Sequence, residues 1–246
     1  MLAGAGFSAG VVNAMAGGGS LLSFPALLLT GMPSVEANAT NTLANLPGTL
    51  SAAWAYRRFI AEERRRTAIL AIPSALGGLA GSILLLHTSE KAFDAVVPWL
   101  ILFACALLAL QGRVARLLVR AAPASDVHVP WPLLVIQFLV AVYGGYFGAG
   151  IGILMLASMA IFLPDTLQHA NGIKVLLASL LNGIAAVYFL HAGAVHLPEA
   201  ALMAVASTLG GYAGARVAQR LKPTILRSLV VVYGVTVALV LMLRHR

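Results

Sequence analysis

The hexapeptides 76-LGGLAG-81 and 209-LGGYAG-214 differ at one residue and stand 133 positions apart. The same shift, applied without a gap, carries Ala16, Gly17 and Gly19 onto Ala149, Gly150 and Gly152. It also carries Ala37 and Asn38 onto Ala170 and Asn171, and Ala52-Ala53 onto Ala185-Ala186. One offset shared by separated blocks is the mark of an internal duplication. The chain therefore reads as two copies of one unit, residues 1–112 and 131–246. A polar linker over 113–130, expected on the cytoplasmic side, joins them.

Composition gives the solvent in which these copies fold. Hydrophobic residues make up 60% of the chain and charged residues 10%, and the mean hydropathy is +0.92. Ordinary soluble domains carry about 25% charged residues. Apolar runs near spanning length recur at 67–88, 93–112, 131–149, 198–215 and 224–243. The expectation is an all-α, polytopic protein of the cell inner membrane, with 8–10 transmembrane segments. The net charge of +8 sits in short clusters between apolar runs, such as Arg57, Arg58, Arg64, Arg65 and Arg66. That is the loop pattern of a membrane protein rather than a nucleic-acid surface. Cys105 is the only cysteine, so no internal disulfide can form. Residues 1–16 lack a basic start and read as membrane domain rather than signal peptide.

Loop charge also bears on how the copies are oriented. The loop over 57–66 has five arginines, whereas its counterpart 190-LHAGAVHLPE-199 has none. One loop later the bias reverses: 87-HTSEKAFD-94 has one lysine, against Arg216, Arg220, Lys222 and Arg227. Copies that exchange their charge preference loop by loop are expected to be inverted in the membrane. In that arrangement every loop Lys and Arg except Lys91, Arg244 and Arg246 faces the cytoplasm.

Each copy opens with an apolar segment interrupted by glycine, at 16-AGGGS-20 and at 148-GAGIG-152. Each segment is either two short crossings or a re-entrant hairpin. Broken helices at matching places in two halves point to a transporter's binding site. Gly17, Gly18, Gly19, Gly150 and Gly152 are expected to expose backbone N–H at half-helix N-termini, which suit an anion. The stretch 37-ANATNTLANLPG-48 then puts Asn38, Asn41, Thr42 and Asn45 on one helix face, with Thr40 and Asn13 as further polar groups. So many uncharged hydrogen-bonding groups exceed what helix packing usually needs, and they are candidates for facing a solute. Pro47 is expected to interrupt this helix near its middle.

The repeat pairs Asn41 with Lys174, which has Asn171 and Asn182 on the same face. A lysine near the membrane centre costs roughly 2.5–3.5 kcal/mol and usually faces an interior cavity. No acidic residue lies near Lys174 in sequence, so its partner is expected to be an anionic solute. Glu36 and His169 are paired by the same shift, each at the start of its polar helix, and are candidates for proton coupling. The remaining histidines form no metal-ligand set. No paired carboxylates, H-E-x-x-H or G-x-S-x-G occur, so catalytic, metal and cofactor sites are not expected.

These motifs resemble the TauE/SafE (sulfite exporter) family. The likeness runs from 6-GFSAGVVNAMAGGGS-20 through 37-ANATNTLANLPG-48, and through 144-GGYFGAGIG-152 to 168-QHANGIK-174 in the second copy. It implies a membrane transporter that moves sulfite, sulfonates or related sulfur oxyanions, mostly outward. The second copy departs from the first, with Lys174 in place of Asn41 and Ala178 in place of Asn45. The single positive charge thus comes from one half. The expected function is export of such an anion by alternating access, with the bilayer and the small anion as partners and a homodimer as a candidate assembly. An anion channel and a membrane scaffold without transport activity are the alternative readings.

Overall fold

The computed structural model describes residues 1–15, 18–120, 129–163, 166–218 and 223–244, and every regular element among them is a helix. The first half contains α1 (Leu2–Met15), α2 (Ser20–Leu28), α3 (Ser34–Ala55), α4 (Arg57–Glu62), α5 (Arg64–His87) and α6 (Glu90–Arg120). The second contains α7 (Trp131–Tyr146), α8 (Ile151–Phe162), α9 (Leu167–His191), α10 (Leu197–Ala218) and α11 (Pro223–Arg244). Under the 133-residue shift α1, α2, α3, α5 and α6 fall on α7 to α11 in order. Among the described residues only α4 lacks a counterpart. Ten of the described helices thus match in pairs across the repeat. The residues of the 113–130 linker between 121 and 128, and Gly17 in the first break, lie outside the described residues.

Length separates two kinds of helix. At 1.5 Å per residue, 22 residues extend about 33 Å, enough for a bilayer core. The helices α3, α5, α6, α9, α10 and α11 all reach that length. Three segments, Arg64–His87, Glu90–Arg113 and Gln168–His191, are long and apolar enough by composition alone to cross a membrane. Of the shorter helices, α1, α2, α7 and α8 form two pairs, and α4 is a single short connection.

The first pair is a hairpin that enters and returns. Asn45, midway along α3, bonds Asn13 at the end of α1. One turn earlier on α3, Asn41 bonds Ser23 of α2. So α2 runs back along α3 towards the end where α3 begins. Glu36 on the first turn of α3 reaches His196, which precedes α10, and Gly6 packs against Met203 of α10. The starts of α1, α3 and α10 therefore share one end of the molecule.

Each hairpin packs chiefly on the opposite half. α1 lies along α10, with Gly6 against Met203 and Gly10 against Ser207 and Gly211. Its counterpart α7 lies along α5, with Gly77 against Phe138 and Ala141, and Gly81 against Val142 and Tyr146. Both pairs run parallel, and both need glycine. A Cβ on Gly10 would run into the Ser207 carbonyl oxygen, and one on Gly81 into that of Val142. Small residues let helix backbones approach where lipid supplies no hydrophobic drive. The near-identical hexapeptides of the sequence are these two contact surfaces.

The polar helices α3 and α9 cross each other at the centre. Gly183 of α9 approaches Leu46, while Gly172 lies against Phe59 and Ile60, so the two chains run in opposite directions. α6 and α11 pair on the outside, where Gly234 meets Cys105. A core of Phe24, Phe93, Ile101, Leu108, Phe147 and Phe189 fills the space between the halves. Exposed Leu202, Val205, Leu209 and Tyr212 form a helical stripe on the outer face of α10, as a lipid-facing surface requires. Pro47 does not end α3, which is continuous from Ser34 to Ala55. Neighbouring helices and local adjustment let membrane helices tolerate proline.

Candidate functional site

Both breaks are stapled shut, by different chemistry. At the first, the Asn13 carboxamide oxygen accepts the Gly19 N–H at 2.8 Å. Gly19 is held so close to Asn13 and to the Ala9 carbonyl that a Cβ would not fit, and Gly18 is buried with Leu108 beside it. At the second, Tyr143 donates its hydroxyl to the Ala149 carbonyl at 2.7 Å. Gly150 starts α8 at φ +77°, a left-handed conformation that glycine adopts without steric cost.

Four residues tie the first hairpin to α3. Ser23 donates to the Asn41 oxygen, and Asn45 donates to the same oxygen at 2.8 Å and to Ser23 at 3.2 Å. Asn13 donates to the Asn45 oxygen at 3.3 Å. The carboxamides thus form a chain from Asn13 through Asn45 to Asn41, with Ser23 bonded to the last two. Ser23 escapes a reading of the sequence, because a lone serine in 20-SLLSFP-25 gives no local signal. Thr42 bonds the Asn38 carbonyl within its own helix at 2.9 Å. Thr40 is fully buried and accepts the His196 N–H at 3.0 Å.

Asn38 bridges to the second break, donating to the Tyr146 carbonyl at 2.8 Å. Its side-chain oxygen is buried and accepts no hydrogen bond among the described residues. Buried acceptors are normally satisfied, so this oxygen is available to a donor. Phe24 of α2 meets Phe147 of the second break edge to face at 5.4 Å. The two breaks therefore lie against each other through α2 and α3.

Lys174 sits on α9 with its ammonium donating to the Asn171 oxygen at 2.8 Å. Its alkyl chain crosses the N-terminal turn of α8, where a Cβ on Gly152 would stand 3.1 Å from Lys174 Cδ. Among the described residues, no carboxylate pairs with Lys174, and the amides of Gly150 and Gly152 find no acceptor. Three kinds of positive potential converge here: a lysine, free N–H groups and the end of a helix dipole. Asn182, two turns further along α9, is half-buried. The candidate residues of the two halves thus form two clusters, one self-bonded around Asn41 and one cationic around Lys174.

Glu36 and His169 stand apart from both clusters, each at one end of the molecule. Glu36 accepts from His196 at 2.6 Å and His169 bonds Glu62 at 2.7 Å. No group of His, Cys, Asp and Glu among the described residues could hold a metal ion.

This arrangement of broken hairpins buried among long apolar helices defines a multi-pass integral membrane protein with a polar, partly cationic interior. The family model for the sulfite exporter TauE/SafE matches residues 2–241, and the chain belongs to that family. Its relatives include a probable membrane transporter protein of Haemophilus influenzae, 31% identical over 92% of this chain and 88% of the relative. Another is probable membrane transporter protein ORF9 of a Sinorhizobium species, 26% identical over 96% of this chain and 88% of that protein. Escherichia coli K12 contributes probable membrane transporter protein YfcA, 24% identical over 91% of this chain and 82% of its own. No solved structure matches the chain. The protein is a membrane transporter.

Proposed function

We propose that the protein is a secondary transporter that exports a small sulfur oxyanion, sulfite or an organosulfonate, across the cytoplasmic membrane by alternating access. The observation that carries the anion is Lys174, laid over the N-terminal turn of α8 with no carboxylate paired to it among the described residues. A partly buried cation with no carboxylate beside it favours a negatively charged neighbour. The sulfur chemistry rests on the family to which the chain belongs.

In this reading the anion lies against Lys174, Asn171 and the amides of Gly150 and Gly152. Asn38 reaches it from the other half, and its free oxygen suits a protonated oxyanion. Asn13, Gly19, Asn41 and Asn45 hold the first hairpin in register, and Thr42 and Asn182 line the approach. The halves are inverted about an axis in the membrane plane, a reading supported by the opposite courses of α3 and α9. The face carrying the arginines of 57–66 is cytoplasmic, as positive loops favour.

The test is counter-flow of labelled sulfite into proteoliposomes, with wild type beside Lys174→Ala. Uptake driven by internal sulfite and lost in the variant is the expected result. Normal uptake by the variant removes Lys174 from the mechanism. A channel through the same cavity would equilibrate label without counter-flow. If the wild type moves neither sulfite nor a small sulfonate, the substrate assignment fails.

A further inference from the structure

Two Glu–His pairs close opposite ends of the molecule, and each joins one half to the other. At one end Glu36, on the first turn of α3, meets His196 just before α10. The His196 N–H also docks on Thr40 of α3. At the other end His169, on the first turn of α9, meets Glu62 at the end of α4. There Phe59 packs edge-on against the His169 ring at 5.6 Å, and Gly172 rests on Phe59 and Ile60.

The two pairs resemble one another with acid and base exchanged, one partner being displaced by one residue. The 133-residue shift carries Glu36 onto His169, and it carries His196 back onto Glu63, next to Glu62. Each pair spans the line along which the halves must part if that end is to open. Both are partly exposed, with side-chain exposures of 40% and 44% at one end and 22% and 62% at the other. Polar pairs of that exposure are weak enough to break and reform in every cycle.

We infer that Glu36–His196 and Glu62–His169 are the two latches of the transport cycle, one for each face, and that the structure with both made is the closed intermediate between the two open states. This rests on the alternating-access reading above. Opening one face breaks that face's pair and leaves the other made.

Hydrogen exchange read by mass spectrometry, on the full-length chain in nanodiscs, tests the latches without any substrate. In Glu36→Gln, exchange over 34–40 and 194–200 should rise roughly two- to five-fold, the range expected from losing a partly exposed pair. Exchange over 57–62 and 167–172 should stay the same or fall. Glu62→Gln should give the reciprocal pattern. The double exchange Glu36→His with His196→Glu should restore protection, because the molecule already uses that orientation at its other end. Unchanged exchange in both single variants overturns the inference, as does loosening of both ends together. Failure of the double exchange to restore protection also overturns it, since the pair would then not be the device. Absence of counter-flow in the wild type, with these exchange patterns intact in the variants, would instead count against the substrate.

Discussion

Lys174 and Gly152 make one site because the lysine's apolar stem needs a surface to lie on. Gly152 offers that surface, and a methyl group there would push on Lys174 Cδ. Gly152→Ala is therefore expected to raise the apparent KM for counter-flow several-fold while leaving the melting temperature in detergent nearly unchanged. A change in melting without a change in KM would assign Gly152 to packing. Ser23 makes the opposite kind of contribution. Ser23→Ala removes one donor from the Asn41 oxygen and one acceptor from Asn45. The expected cost is about 0.5–1.5 kcal/mol in unfolding free energy. It should appear as destabilisation in a reversible detergent titration, with the substrate's KM unchanged. Asn41 and Asn45 look from their spacing like groups meant for a solute, but spacing reports only a shared face. Which neighbour stands opposite is set by the returning course of α2, and no pattern within 37–48 contains that.

At the scale of elements, the glycine hexapeptides carry more information than their composition suggests. They mark the α1–α10 and α5–α7 contacts, where backbone meets backbone. Gly81→Ala is expected to cost about 1–3 kcal/mol by overpacking, read as a fall in thermal stability. Gly4→Ala, with open space around it, should be neutral or slightly stabilising. Equal effects at both positions would mean that the close approach does not matter. The broken segments, the long helices and the duplication were all legible, because each leaves a pattern within about 30 residues or at one fixed offset. α4 was not, since its six residues carry no apolar period and have no copy to compare. The Glu36–His196 contact was hidden by 160 residues of separation. Extending the repeat shift to 62–63 and 196 would have pointed to it. Pro47 misled for a different reason: a lone proline signals a break only where nothing else holds the helix.

For the whole molecule, topology is the decisive quantity. Exposed Ser89 and Ala192 lie at the end that holds Glu36, whereas exposed Ala61 lies at the end that holds Glu62. With Cys105→Ala as background, single cysteines at Ser89 and Ala192 should react with a membrane-impermeant maleimide in intact cells. A cysteine at Ala61 should react only after the membrane is opened. Ala192 is the position that decides, because its repeat counterpart lies in the arginine-rich loop. Two copies inserted the same way up would place both loops inside, so protection at Ala192 beside labelling at Ser89 would remove the inverted arrangement.

The crossed packing of the hairpins has a consequence for how the chain comes into being. Gly10 emerges from the ribosome roughly 200 residues before Ser207, the residue against which it finally rests. At synthesis rates of about 5–20 residues per second, α1 spends roughly 10–40 s in the membrane before its partner is translated. Throughout that interval the glycine face of α1 lacks the helix it finally packs on, whereas the second hairpin, whose partner α5 is already in place, has no such wait. Birth order therefore gives two structurally equivalent elements unequal histories.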